Sequence, residues 1–426
     1  MGKGGKRRML GLKRGTVLLA PHEKSWETYA AETMDRLRAI FGERAVEMQH
    51  VGSTAVPAIQ AKPIVDLAVA VRQLSDVEPL FPALEKQGFY HAAHCDDEGQ
   101  ILLVCGDLEA DTRTCHIHVV RAGSMEWRNY LNFRDYLNFY PKKAAEYEAL
   151  KKELQRRFPN DRKAYTEGKA EWIAYALRKA LVWSFLGERV HAEMDRPLGT
   201  EHPKHPGLYY PINYGYLPGV VGGDGEELDV YVLGVQEPLE TFEGRVIGII
   251  HRQDDNEDKL AAAPDGMIFD QAQIAQQVFF QEQYHCSRVE PLYHHSCGVI
   301  PFRRGEKGFE YLLLLQRRSN TWSFPKGHQE MGETERETVL RETLEETGCR
   351  AELADGFRQE ITYALKERKG QKRVTLFLGR LEGTLSLRQE EIVTARWMNA
   401  EQALTLLHQG YRPILEKAER FLSKQS

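Results

Sequence analysis

The sequence is poor in several things that would place it quickly. It has only six cysteines, Cys95, Cys105, Cys115, Cys286, Cys297 and Cys349, and no C-x-x-C pair among them. That spacing suggests neither a cysteine zinc site nor a disulfide framework, and suits reduced thiols. No apolar run approaches the length of a membrane span, so no membrane partner is expected. No apolar h-region follows the basic start, and no Ser or Thr stands at position 6 to complete a myristoylation pattern after Gly2. A cytoplasmic location follows as the expectation. There is no basic excess either: the net charge of −5 argues against stable nucleic-acid binding. Lys3, Lys6, Arg7, Arg8, Lys13 and Arg14 make the first residues locally basic, which a solvated tail explains. Internal repeats and low-complexity stretches are also missing.

What is present is 426 residues with 42% apolar content, enough for two to four ordinary domains. Three textures follow one another. Residues 24–44 carry a helical pattern, 63–71 (PIVDLAVAV) and 115–120 (CHIHVV) suit buried strands, and 141–182 read as two charged helices. Near residue 187 proline, glycine and tyrosine become dense, which suits turns between short strands, with strand-like runs at 228–235 and 245–250. From Ser296 strands alternate with helices: SCGVIPFR, EYLLLLQRR and RVTLFLGRL as strands, 335–347 and 400–423 as helices. The predicted domains are 14–183, a mostly β domain at 188–292, and an α/β sandwich at 294–426, with protease-sensitive boundaries near 184–192 and 290–297.

The most informative stretch runs from Gly327 to Gly348. Thr334 and Glu337 have capping-box spacing, so a helix begins there, and Gly348 stands where it stops. Glu342, Glu345 and Glu346 lie at offsets 0, 3 and 4, on one helix face. As a bare acidic helix this would be a solvated face with Arg336 and Arg341 as partners. Three convergent carboxylates are also the hard oxygen ligands that Mg2+ takes beside substrate phosphates. Glu335, in the first turn and off that face, is expected to be indifferent to substitution.

The whole segment resembles the Nudix box, G-x5-E-x7-R-E-U-x-E-E-x-G-U, with every fixed identity in place and Thr343 standing where an aliphatic residue is usual. The resemblance implies a Nudix α/β/α sandwich, divalent-cation binding and water activation by Glu342, Glu345 and Glu346, and a structural pair of Glu333 with Arg341. Trp322–His328, the RETLEETG form of the box and Glu391 before Arg396-Trp397 are similar to asymmetric bis(5′-nucleosyl)-tetraphosphatases, with Met331 replacing the usual proline. That likeness implies phosphate contacts from Lys326, His328 and Lys372, help from Glu391 at the metal, and Tyr363 and Tyr411 as adenine-stacking candidates that could equally be core. It also implies Mg2+, with Mn2+ as the alternative, and a small-molecule nucleotide substrate, diadenosine tetraphosphate first. Another nucleoside diphosphate-linked substrate is the alternative.

In the middle texture, Asp224, Glu226 and Asp229 form one acidic cluster, and Asp254, Asp255, Glu257 and Asp258 before Lys259 form another. Acidic turns explain such clusters without metal. Tyr210-Pro-Ile-Asn213-Tyr214-Gly215-Tyr216 and Asp224-Gly-Glu-Glu-Leu-Asp229 resemble soluble inorganic pyrophosphatases, implying a small β-barrel-type fold. On that resemblance Arg196 binds phosphate, Tyr210 and Tyr214 line the site, and Asp224, Asp229 and Asp258 hold metal. Glu226 and His285 stand where an aspartate and a lysine are expected, which leaves two outcomes: pyrophosphatase activity, or a non-catalytic nucleotide-binding module.

In the first texture, His50-Val-Gly52-Ser53-Thr-Ala-Val-Pro57, Lys62-Pro-Ile-Val-Asp66, His116-Ile-His118 and Phe133-Arg134-Asp135 resemble the GrpB family, implying a nucleotidyltransferase-like α/β domain. A Gly-Ser turn suits phosphate approach, and Asp66 is the candidate metal ligand, standing alone because Ala68 occupies the position two on. His116 and His118 share a strand face and could supplement it, and Lys62 and Arg134 are anion candidates.

Overall fold

The structure is a computed structural model that describes residues 10–202, 206–207, 209–254, 257–306, 308–365 and 369–425. Asp255 and the basic residues before Leu10 lie outside the described residues. The chain divides into two structural units, Met1–Ser184 and Phe185–Ser426.

The first unit centres on a mixed sheet in which β1 (Ala45–Val51) pairs antiparallel with β2 (Val65–Val71), and β3 (Gln100–Cys105) pairs antiparallel with β4 (Cys115–Arg121). β2 and β4 run parallel at the centre, Val65 opposite Cys115 and Ala68 opposite His118. The β-branched run of β2 is buried on both faces, as the apolar stretch predicts. On one side the helix α1 (Lys24–Phe41) buries Trp26, Leu37 and Phe41. On the other, α2 (Met125–Phe139) packs Trp127 against Val51, Ala68 and Val120. The two expected helices over 141–182 become three, Pro141–Arg157 (α3), Arg162–Glu167 (α4) and Ala170–Ser184 (α5), and α2 itself escaped the periodicity reading. Its apolar residues, mostly aromatic with Leu131 and Leu137, are interleaved with Asn and Arg, so its amphipathic stripe is faint.

The second unit starts with a closed barrel. β5 (Arg189–Arg196), β6 (Asn213–Val221), β7 (Glu227–Val232), β8 (Thr241–Arg252) and β9 (Lys259–Ala263) form a ring in which β9 pairs with both β7 and β8. One helix, α6 (Gln271–Glu282), covers an end and buries Ile274 and Val278 with the barrel's apolar residues. The region is therefore not purely β. A further strand, β10 (Ser287–Pro291), pairs with β8.

No loop separates β10 from the sheet that follows, because only Leu292 lies between β10 and β11 (Tyr293–Gly305). The Leu292 N–H donates to the Ile247 carbonyl in the barrel at 2.7 Å, and its carbonyl accepts from Gln371 N–H at 3.0 Å. That one residue is stitched into both sheets. β11 continues antiparallel to β12 (Gly308–Gln316) and parallel to β16 (Gln371–Glu382); β13 (Thr321–Ser323) and β14 (Lys326–His328) are short, and β15 (Arg350–Ala364) and β17 (Ile392–Asn399) complete the sheet. The helix α7 (Glu335–Thr347) packs on β11, while α8 (Ala400–Leu406) and α9 (Arg412–Gln425) bury Leu415, Ala418 and Leu422 with Tyr311 and Phe357. This is the expected sandwich of helices about a sheet. The molecule is multidomain α/β and α+β.

Candidate functional site

Local sequence sets α7 in place. Thr334 Oγ1 accepts the Glu337 N–H and the Glu337 carboxylate accepts the Thr334 N–H, closing the capping box, and Gly348 ends the helix with a left-handed φ of 71°. Arg341 then fixes the approach strand. Its guanidinium makes two bonds to Glu333, 2.6 and 3.0 Å, and one to the His328 carbonyl at 2.9 Å. Such a paired fork is geometrically specific. Those hydrogen bonds hold the Glu333 carboxyl at about 2. The strand so held comes very close to the helix: a Cβ at Gly327 would sit 1.8 Å from the Glu342 carboxyl carbon. Only glycine admits Glu342 there.

Glu346 is 4% exposed and accepts the Lys326 N–H at 3.0 Å and the Gln316 side-chain amide at 3.3 Å. Burial pushes its carboxyl up to about 7, against the pull of Lys326. Burial also raises Glu342; Arg341 opposes this, and the charges of Glu345 and Glu391 add to the rise. Glu345 is more open and lies 3.5 Å from both Arg341 and Arg388, and Arg388 also reaches Glu391 at 3.4 Å. Carboxylates that destabilise one another in this way, with oxygens crowded at one wall, fit a divalent cation by donor chemistry.

Glu342, Glu345, Glu346, Glu391, Lys326, His328, Lys372 and Tyr363 all line one cleft of about 1710 Å3. Tyr411 reaches the cleft wall but is 5% exposed and packs in the core beside Phe324. Gln316 and Arg388 also belong to this wall and carry no signal in the sequence, because each comes from a separate strand or loop. Glu335 lies off this wall and makes a two-point ion pair with Arg358, both contacts 2.7 Å.

In the barrel the structure gathers a different set from the one expected. Tyr214 donates a short hydrogen bond to Asp229, and Lys259, 2% exposed, bonds to Asp229, to the Tyr214 hydroxyl and, at 2.6 Å, to Glu257. Burial and the bond to Asp229 push Glu257 up to about 7, against Lys259. Arg196 reaches the Tyr210 hydroxyl at 3.3 Å and lies over the Tyr214 ring at 5.2 Å. Asp258 does not join them: it pairs with His251 at 3.0 Å, and His251 also contacts Glu290. Alternation explains this, since Glu257 and Lys259 face one way along an extended chain and Asp258 the other. Asp224 is not gathered either. It stays on an exposed turn, accepting the Glu226 N–H at 3.1 Å.

In the first unit Asp66 accepts from His116 at 3.2 Å and has His118 at 3.8 Å. Burial opposes its ionisation, but the two histidines outweigh that and hold the carboxyl far below its ordinary range. Gly52, with φ 68°, lies so close that a Cβ would meet an Asp66 oxygen at 2.5 Å. Arg134 is not an open anion site, because it bonds to Gln49, to the His50 carbonyl and to Asp135. Lys62 keeps company with Lys151 and Lys169 instead. Lys62 and Lys169 lie 5.3 and 4.7 Å from the Tyr165 ring centre. Burial first, then the neighbouring positive charges, lower Lys62 to about 8 and Lys151 to about 7.

Family models match three successive parts of the chain: the GrpB protein family over 16–179, inorganic pyrophosphatase over 186–276, and the NUDIX domain over 292–418. The glutamate-rich protein GrpB of Alkalihalophilus pseudofirmus is 38% identical over 167 residues, covering 39% of this chain and 96% of the relative. The asymmetrical bis(5′-nucleosyl)-tetraphosphatase of Mus musculus is 33% identical over 140 residues, 30% of this chain and 94% of the relative. Among solved structures, GrpB from Enterococcus faecalis covers 38% of this chain and 96% of its own length at 29% identity and a TM-score of 0.36. A binary complex of the C. elegans Ap4A hydrolase covers 31% of this chain and 98% of its own at 25% identity and a TM-score of 0.29.

Proposed function

Since this chain belongs to the GrpB family through its first part and to the Nudix hydrolases through its last, we propose that its Nudix cleft hydrolyses the polyphosphate bridge of dinucleoside polyphosphates, with Glu342, Glu345 and Glu346 holding Mg2+. The observation that carries this reading is the convergence of those three carboxylates and Glu391 on one wall of a cleft whose other residues include Lys326, His328 and Lys372. A bound Mg2+ supplies charge neutralisation of phosphate oxygens and lowers the pKa of an attacking water. The chain's own residues do the rest. Lys326 and Gln316 orient Glu346, and Arg341 anchors the strand that carries His328. Lys372 and His328 offer positive or hydrogen-bonding ends to a polyphosphate, and Tyr363 offers a ring to a base. Mn2+ suits the same oxygen donors.

The reading is tested by incubating the full chain with a panel of dinucleoside polyphosphates, nucleoside triphosphates and nucleoside diphosphate-linked compounds, with Mg2+ and with chelator. Metal-dependent release of a nucleoside triphosphate and monophosphate from diadenosine tetraphosphate is the expected result. Turnover confined to nucleoside triphosphates, or turnover unaffected by chelator, would overturn it.

A second reading concerns the barrel. The cluster of Arg196, Tyr210, Tyr214, Asp229, Glu257 and Lys259 favours a phosphate-handling site there, built on Asp229 and Glu257 and not on Asp224 or Asp258.

A further inference from the structure

The Nudix cleft has a wall that the Nudix domain does not supply. Its lining continues onto the barrel side, along α6 and β10, where Ala272, Ala275, Phe279 and Arg288 face the same space as Glu345 and Lys372. Ala272, Ala275 and Phe279 follow one another at spacings of three and four, so they form a stripe on one helix face. The two alanines leave the space open, and Phe279 is 46% exposed at its end. Arg288, exposed on β10, makes no ion pair among the described residues. This wall is not loosely hung. Leu292 bonds to both sheets, and Asp270, the N-cap of α6, lies 3.4 Å from His295 of β11. Size points the same way: about 1710 Å3 exceeds the roughly 300–1,000 Å3 usual for a single small-molecule site.

Resting on the Nudix reading above, we propose that α6 and β10 form a second nucleoside–phosphate subsite of the same cleft, in which Phe279 stacks on the far base and Arg288 holds the far phosphates of a dinucleoside polyphosphate. An aromatic face binds any base through its π surface, and a guanidinium with no carboxylate partner among the described residues matches phosphate oxygens. The barrel thereby acts as a specificity element for long substrates. A substrate with one nucleoside fills only the half of the cleft that carries the glutamates.

The test compares Phe279→Ala and Arg288→Ala with the unaltered full chain by calorimetric binding of a non-hydrolysable, methylene-bridged analogue of diadenosine tetraphosphate and of the corresponding analogue of adenosine triphosphate. Neither side chain is core, so folding is checked simply by an unchanged melting temperature. Each variant is expected to weaken the dinucleotide analogue about ten-fold, the scale of one base–aromatic stack or one phosphate contact, and to leave the mononucleotide analogue within about two-fold. In turnover the defect falls in KM for the long substrate, with kcat retained. Equal weakening of both analogues, unchanged binding of the dinucleotide, or no binding of it by the unaltered chain would overturn the subsite. Binding as expected without turnover would instead retire the hydrolytic reading and leave the subsite standing.

Discussion

Glu346 and Glu345 differ in a way that bears on their tests. Glu346 is enclosed and held by two donors, whereas Glu345 is half open beside two arginines. Replacing either by Gln keeps shape and helix propensity and removes a ligand charge. On the proposed mechanism each change lowers kcat for diadenosine tetraphosphate by about 10²–10³, with the circular dichroism spectrum unchanged. Glu391→Gln gives a smaller loss, because its side chain is 50% exposed and is shared with Arg388. Glu335 serves poorly as the neutral comparison, since its ion pair with Arg358 ties α7 to β15; Glu382→Gln, on an exposed strand end, is the better one. Wild-type kcat in both the Glu345 and Glu346 variants would remove the mechanism. Glu333 answers a different question, because its pair with Arg341 is structural. Its folded carboxyl lies near 2 against an ordinary 4.5, so its stabilising share is present above about pH 4.5 and lost as pH falls through about 2. The melting temperature of Glu333→Gln should therefore fall below that of the unaltered protein at neutral pH, and the gap should close on acidification.

Among the elements, α7 behaves as its caps and spacing require, and β9 does not behave as the acidic run before it suggests. Neighbouring residues of an extended chain point to opposite sides, so Glu257 and Asp258 cannot join one cluster. Glu257 and Lys259 turn to Asp229, and Asp258 turns to His251. If the barrel releases phosphate from pyrophosphate, Asp229→Asn and Glu257→Gln should each reduce that rate at least ten-fold in a Glu345→Gln background, while Asp258→Asn and Asp224→Asn leave it within about two-fold at a temperature below any loss of stability. A rate insensitive to Asp229 and Glu257 would detach the chemistry from this cluster. α6 is the element that composition hid: Gln-rich and short of charge, it carries only a faint apolar stripe, yet it forms the barrel side of the Nudix cleft.

Taken as a whole, the chain is two structural units that carry three family matches. We expect limited proteolysis to cut between Ser184 and Glu188, before the barrel's first strand, and to leave the stretch around Leu292 intact, because both strands there are hydrogen-bonded on either side of a single residue. Two fragments of the corresponding sizes on a denaturing gel are the expected result; an early cut at 290–297 would show that the barrel and the Nudix sheet open independently. The change of texture near residue 187 was legible in composition, and the three resemblances were legible in motifs, since caps, box spacing and glycine positions are local and survive without a fold. The three-glutamate face of α7 was legible for the same reason: helical spacing alone brings residues three and four apart together. What only the tertiary structure decided is which distant groups meet. Gln316 and Arg388 reach the glutamates, Glu257 displaces Asp258 beside Asp229, two histidines take up Asp66, Arg134 is spent on backbone and Gln49, and Phe279 and Arg288 arrive opposite the Nudix box. Those meetings depend on strand register, on which face of a strand turns inward, and on the closure of one sheet against another, none of which a residue can signal in its own neighbourhood.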